Sequence, residues 1–226
     1  MRQLKYKLLF FMVLLGWQVN ASDEAKLWIE KVVKANGGIE QLRSLQDVSY
    51  EYTFKSKEKG IADVSIERYI FDGEISFAQY LQRQYFALPD LKGTHTQFFD
   101  GKTTVSKING KTITDQQPAY VGHFFRKTNF YWFNMMFKLM DPGVAFQMLA
   151  DRKVDGKKYK VVQMTFGDQI GETQDKYVLY INPQTHRIDQ FLFTVLGFGF
   201  NEPFIMKLEY EEIDGIYLST YRKYAP

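Results

Sequence analysis

Three histidines, His95, His123 and His186, are the first residues to weigh for chemistry, and the chain has no cysteine. Metal ligands supplied by one element recur at short fixed spacings, and no two of these histidines are so placed. The missing thiols exclude disulfide scaffolds, thiol catalysis, zinc ribbons, iron–sulfur sites and the lipid-modified cysteine of a bacterial lipoprotein. There is no nucleophile elbow and no phosphate-binding loop. Gly197-Phe198-Gly199 is followed by neither the further glycine nor the helix that such a loop needs. Glu209 and Glu211, two apart on a strand, share one face beside Lys207, whereas a glycosidase pair stands across a cleft. That face reads as solvated. A hydrolase assembled in space from an acid and a histidine is the least favoured reading, and no cofactor is expected.

Arg68 is more unusual. It falls on one strand face with Val64, Ile66 and Ile70. It reads either as a strand-end arginine snorkelling to water or as a buried donor to a lid carbonyl or a ligand head group.

The densest signal is apolar. Eight aromatic residues lie between Tyr120 and Phe137, and Met135, Met136, Leu139 and Met140 add to them. On a helix Lys127, Asn134 and Lys138 fall along one narrow stripe, which reads as solvated, and nearly everything else is apolar. A helix apolar almost all round has to be buried. It is either a plug that fills a bent sheet or the wall of an apolar ligand cavity, where flexible thioethers and rings suit an adaptable pocket. The candidate ligand-binding residues are Phe130, Tyr131, Trp132, Met135, Met136 and Phe137 on this segment, together with Arg68. Phe191 and Phe193 join them from a strand apolar on both faces, and Phe198 and Phe200 from the connection after it.

Elements that position these residues are legible around them. Ser22 or Asp23 caps a helix whose Ala25, Trp28, Ile29, Val32 and Val33 share one face, and Gly37-Gly38 ends it. A helical turn with Ile39, Leu42 and Leu45 follows. From Asp47 the period is two: Val48, Tyr50, Tyr52 and Phe54 alternate with polar residues. Asp72-Gly73, Asp100-Gly101, Asn109-Gly110, Asp155-Gly156 and Asp214-Gly215 mark tight turns. The spacing predicts roughly ten antiparallel strands in a meander. Asp141-Pro142 predicts a further short helix carrying Val144, Phe146, Met148 and Leu149.

Residues 1–21 read as a cleaved export signal: Arg2, Lys5 and Lys7, then the ten apolar residues Leu8–Trp17, then Val19-Asn20-Ala21. Ten apolar residues are fewer than the ~20 of a membrane span, so no permanent anchor is expected. The signal holds three of the 29 basic residues and no acidic one, so residues 22–226 set 26 basic against 26 acidic side chains. That balance argues against nucleic-acid binding. A single domain over residues 22–226 is expected, periplasmic if bacterial, or secreted.

The helix ending in Gly37-Gly38, the residues Leu42 and Leu45, and the strand opening at Val48 resemble the start of the LolA/LolB-like periplasmic lipoprotein carriers. The run from Tyr177 to Ile188 (YVLYINPQTHRI), followed by an aromatic strand, is similar too. Asn129–Gly143 (NFYWFNMMFKLMDPG) resembles an uncharacterised group of bacterial envelope proteins within that fold. The resemblance implies a mainly β (α+β) protein: a single strongly curved antiparallel sheet, a half-barrel of about ten strands. An N-terminal helix and the inserted apolar helical segment would lie on its concave face. It implies a non-enzymatic protein that binds a lipid or an acylated lipoprotein there reversibly. The alternative is an envelope interaction or scaffold protein with a filled cavity, whose Phe198 and Phe200 meet a protein partner.

Overall fold

A computed structural model describes residues 21–167 and 175–225, so the export-signal reading of residues 1–21 falls almost wholly outside the described residues. Helix α1 (Ala21–Ala35) buries Ala25, Ile29, Val32 and Val33, the face its spacing predicts. It stops where Gly37 and Gly38 take positive φ and the Gly38 amide bonds back to the Val33 carbonyl at 3.0 Å. Gly37 has a second reason to lack a side chain. A Cβ there would stand 2.9 Å from the Gly215 carbonyl oxygen, because the end of α1 is pressed onto a distant hairpin turn. A short helix α2 (Ile39–Arg43) follows.

Twelve strands and one long helix come next. They are β1 (Asp47–Ser56), β2 (Ile61–Ile70), β3 (Ile75–Gln82), β4 (His95–Phe99), β5 (Thr104–Ile108) and β6 (Lys111–Thr112), then α3 (Gln116–Lys138). After it come β7 (Val144–Val154), β8 (Lys157–Phe166), β9 (Tyr177–Ile181), β10 (Ile188–Val195), β11 (Phe200–Ile213) and β12 (Ile216–Ala225). Every pairing is between sequence neighbours and antiparallel, as the turn signals require. The strands divide into two six-stranded sheets, β1 to β6 in order and β12 back to β7, rather than the single sheet of about ten that was expected. Helix α3 interrupts the meander between the two sheets, and its rings reach both of them.

Three expectations are corrected. After Asp141-Pro142 the chain enters strand β7, not a helix. Val144, Phe146 and Met148 alternate with the exposed Ala145 and Gln147, and β8 offers a ladder along their length. Strand β2 is turned over. Asp63, Ser65, Glu67 and Tyr69 are buried, while Ile66 and Arg68 are exposed. Finally, β10 looked apolar on both faces. A register shift between Ile188 and Gln190 lets Ile188 join Phe191 and Phe193 in one core, while Leu192 is only half-buried.

Candidate functional site

Helix α3 has two unlike sides. Against the second sheet it is greasy. Tyr131 packs on Phe166 and Tyr177, and Trp132 sets its ring 5.1 Å from Phe193 and 6.3 Å from Phe191. Met135, Met136 and Leu139 enter the same core, which Ala25, Ile29, Val32 and Val33 of α1 share. Polar ties on this side are sparse. Arg222 Nη2 donates to the Trp132 carbonyl oxygen at 2.7 Å, and Tyr210 donates to the Ile188 carbonyl oxygen at 2.9 Å and lies 3.8 Å from the Met136 sulfur.

Against the first sheet the same helix is held by charge. Arg126, fully buried, grips the fully buried Glu67 with both terminal nitrogens, Nη2 to Oε1 at 2.9 Å and Nη1 to Oε2. Glu67 also accepts from Ser65 at 2.8 Å and from the Tyr69 hydroxyl at 3.1 Å, and Tyr69 accepts from Tyr50 at 3.0 Å. Arg126 Nε donates to Gln97 Oε1 at 3.0 Å, where the Tyr80 hydroxyl donates as well. Burial disfavours the arginine's charge, but the carboxylate beside it more than offsets that and holds the guanidinium charged. Burial likewise pushes the Tyr52 and Tyr80 phenols up to about 12. The paired guanidinium and carboxylate at the centre of this network fix one orientation of the helix, although Gln97 Nε2 at its edge has no partner among the described residues. Gly122 lets α3 approach, since a Cβ there would stand 2.4 Å from Ser106 Oγ.

The connection from β3 to β4, residues 83–94, is wrapped around two charges. The Asp63 carboxylate accepts four successive amides, Gln84, Tyr85, Phe86 and Ala87, at 2.6–2.9 Å. The Arg83 guanidinium donates to the carbonyls of Leu88 at 2.7 Å and Gly93 at 2.8 Å, and to that of Leu91. Between this connection, β1, β2 and α3 lies a cleft of about 300 Å³, solvent at its mouth included. Its floor is polar, with Asp63, Ser65 and Tyr80, and its walls are Phe54, Phe86 and Phe125. The enclosed part holds roughly one water.

Rings in contact run round this end of the molecule. From Phe198 the path goes to Phe124 at 4.5 Å and Phe125 at 5.8 Å, and then to Phe86 at 6.3 Å. From Phe86 it continues to Phe54 at 5.4 Å, Tyr224 at 6.2 Å, Phe204 at 6.1 Å and Phe200 at 5.5 Å. It closes because Phe198 and Phe200 flank Gly199, whose φ of +77° turns the chain. The Phe54–Tyr224 step joins β1 to β12, the edge strands of the two sheets.

The predicted residues are thus partly assembled. Tyr131, Trp132, Met135, Met136, Phe191 and Phe193 meet in one core. Phe130 faces the other way, against Tyr69 and Phe71, and Phe137 sits in a small separate core with Leu42 and Ile216. Phe198 and Phe200 are exposed at the rim. Arg68 is not the buried donor: it lies on the outer face, paired with Asp47 at 2.5 Å. Arg126 is the buried arginine, and little in the sequence marks it, because it opens the polar run Arg126–Asn129 and its partner Glu67 is 59 residues away. The three histidines are scattered: His95 stacked on Tyr80, His123 bonded to Thr104 on α3, and His186 against Trp28. Among the described residues no group of three metal-ligating side chains occurs, and no helix is long and apolar enough to cross a membrane.

The family described as a family of unknown function (DUF6503) matches residues 5–223. No curated protein matches the chain. Among solved structures, a LolA superfamily protein from Nitrosomonas europaea is similar at 13% identity, over 88% of this chain and 83% of that one, with a TM-score of 0.50. A putative outer membrane lipoprotein-sorting protein domain from Vibrio parahaemolyticus is similar at 11% identity, over 87% and 82%, with a TM-score of 0.48. The architecture is LolA-like.

Proposed function

The chain belongs to the DUF6503 family, and for it we propose the role of a non-enzymatic carrier that binds an apolar ligand, a lipid or a lipoprotein acyl chain, in the cell envelope. The reading takes residues 1–21 as an export leader and 22–226 as one domain, acting in the periplasm or after secretion. One observation carries it. The seam between α3 and β8–β11 is built from rings and thioethers with few polar ties, while the opposite side of the helix is fastened by a buried ion pair. An acyl chain can replace rings in such a seam at the cost of few polar ties, the hydrogen bond between Trp132 and Tyr177 among them, and each buried CH₂ contributes about 0.8 kcal/mol. Tyr131, Trp132, Met135, Met136, Phe191 and Phe193 would contact it, and the aromatic rim at Phe198 and Phe200 would be its doorway. The LolA-like fold supports the reading, because carriers of that fold hold acyl chains under their helices.

The test is mass spectrometry of what co-purifies with the exported protein, together with titration by a fluorescent fatty acid. Saturable binding near one per chain, lost in Met136→Glu with the far-ultraviolet spectrum intact, is expected. A protein that is empty on isolation and blind to the fatty acid ends the carrier reading.

A second reading is favoured by one fact: the described cleft encloses so little space. In that reading the rings of α3 fill the interior permanently, and the protein is an envelope scaffold that meets a protein partner through Phe198 and Phe200. Phe198→Ser would then abolish a stoichiometric complex while fatty-acid binding is absent throughout.

A further inference from the structure

Five large aromatic side chains are exposed at one end of the molecule, and they come from separate stretches of chain. Tyr120 belongs to the first turns of α3, Phe86 to the 83–94 connection, Phe198 to the β10–β11 turn, Phe200 to the start of β11, and Tyr224 to the end of β12. Their relative exposures run from 39% to 53%. Apolar side chains that converge from unconnected elements and still face water mark a contact surface. A basic turn is fastened to the same rim. Lys57 and Lys59 flank Glu58 in the turn between β1 and β2. The Lys59 ammonium lies 5.2 Å from the Tyr85 ring, which contacts Phe86 at 4.0 Å. Glu202 is the acidic residue next to Phe200.

We propose that this rim docks reversibly on the surface of an anionic phospholipid bilayer. The rings would enter the boundary between head groups and acyl chains, where aromatic side chains are favoured, and the lysines would face the lipid phosphates. The charge complementarity selects a lipid surface over an apolar protein face. The rim also carries Phe198 and Phe200, the doorway to the seam between α3 and the second sheet, so a chain leaving the bilayer would enter the protein without crossing water. That last step rests on the carrier reading; the docking itself does not.

Co-sedimentation of the full chain with vesicles tests it. The wild type should bind phosphatidylglycerol–phosphatidylethanolamine vesicles at low salt and release in about 0.5 M salt. Lys57→Glu with Lys59→Glu should weaken that binding roughly tenfold or more, since each lysine near the surface contributes about fivefold. Phe198→Ser with Phe200→Ser should weaken it on anionic and neutral vesicles alike. The turn lysines are solvent-facing, so their variant keeps the test decisive even if the phenylalanine variant misfolds. A wild type that ignores both vesicle types, or lysine and phenylalanine variants that bind as well as it does, overturns the proposal. So does the rim engaging a purified protein partner while vesicles are ignored. Fatty-acid titration of the same samples separates the two readings. Vesicle binding without fatty-acid binding sinks only the carrier, and fatty-acid binding without vesicle binding sinks only the docking.

Discussion

Arg126 and Glu67 meet as a doubly hydrogen-bonded ion pair with neither side chain exposed, tying the middle of α3 to β2. Such a pair is costly to desolvate, so its presence is weak support for stability in itself. Its consequence is positional: it sets which side of α3 faces the first sheet, and so which side is left to the second.

Removing one partner therefore does more harm than removing both. Arg126→Met alone should destabilise the protein by about 3–5 kcal/mol, because Glu67 is left charged and buried. Arg126→Met combined with Glu67→Leu should recover much of that loss. Urea unfolding of the two single variants and the double variant checks the coupling, and additive losses would contradict it.

Glu67 is a buried acid that local sequence pattern does not reveal. The period of two from about Ala62 to Phe71 offers two faces, and hydrophobicity favours the one with Val64, Ile66 and Ile70. The protein buries Asp63, Ser65, Glu67 and Tyr69 instead, because a cation from α3 and four amides from residues 84–87 are waiting there. Those partners are 59 and about 20 residues away in sequence, beyond what spacing can show. By contrast α1, the period change at Asp47 and the apolar helical segment between Tyr120 and Phe137 rest on local patterns, and they are legible. Strand β7 was missed because Asp141-Pro142 is a good helix start, and only the ladder to β8 decides against it.

His95 makes stability depend on pH. It is fully buried and stacked on Tyr80 at 4.9 Å. Burial first, and then the charges of Arg83 and Arg126, push its pKa down to about 4, against a weaker pull from the Ala87 backbone. Asp63 and Glu67 are the acids of the same polar cluster, each already paired. The unfolded chain protonates near 6.5 and the folded one near 4, so this contribution is whole above pH 6.5 and lost as the pH falls towards 4. The loss should reach about 3 kcal/mol. His95→Phe, which keeps the stack, should flatten that part of the profile in urea titrations between pH 4 and 7.

Asp63 should control the 83–94 connection. Asp63→Asn replaces a carboxylate that accepts four amides by a group with one acceptor oxygen and an unwelcome donor. A loss of about 2 kcal/mol is expected. Hydrogen exchange of Gln84, Tyr85, Phe86 and Ala87 should accelerate well before that of β2. Uniform acceleration across the sheet would show that the carboxylate supports the whole domain instead.

The last prediction concerns the junction of the two sheets. β1 and β12 are edge strands of separate sheets, and the contact between Phe54 and Tyr224 is a ring contact at 6.2 Å. Beneath it, Arg222 reaches across to the Trp132 carbonyl oxygen. If an acyl chain is to displace Trp132 from Phe191 and Phe193, the sheets have to part here, because the other side of α3 is fastened by Arg126. The chain has no native cysteine, so Phe54→Cys with Tyr224→Cys can be joined by a short bis-maleimide on a clean background. The joined protein should take up the fluorescent fatty acid at least roughly tenfold more slowly than the same variant left unjoined, while its unfolding midpoint rises because the unfolded chain is constrained. Equal uptake by the joined and unjoined forms would mean that the ligand enters elsewhere and that α3 does not yield at this seam.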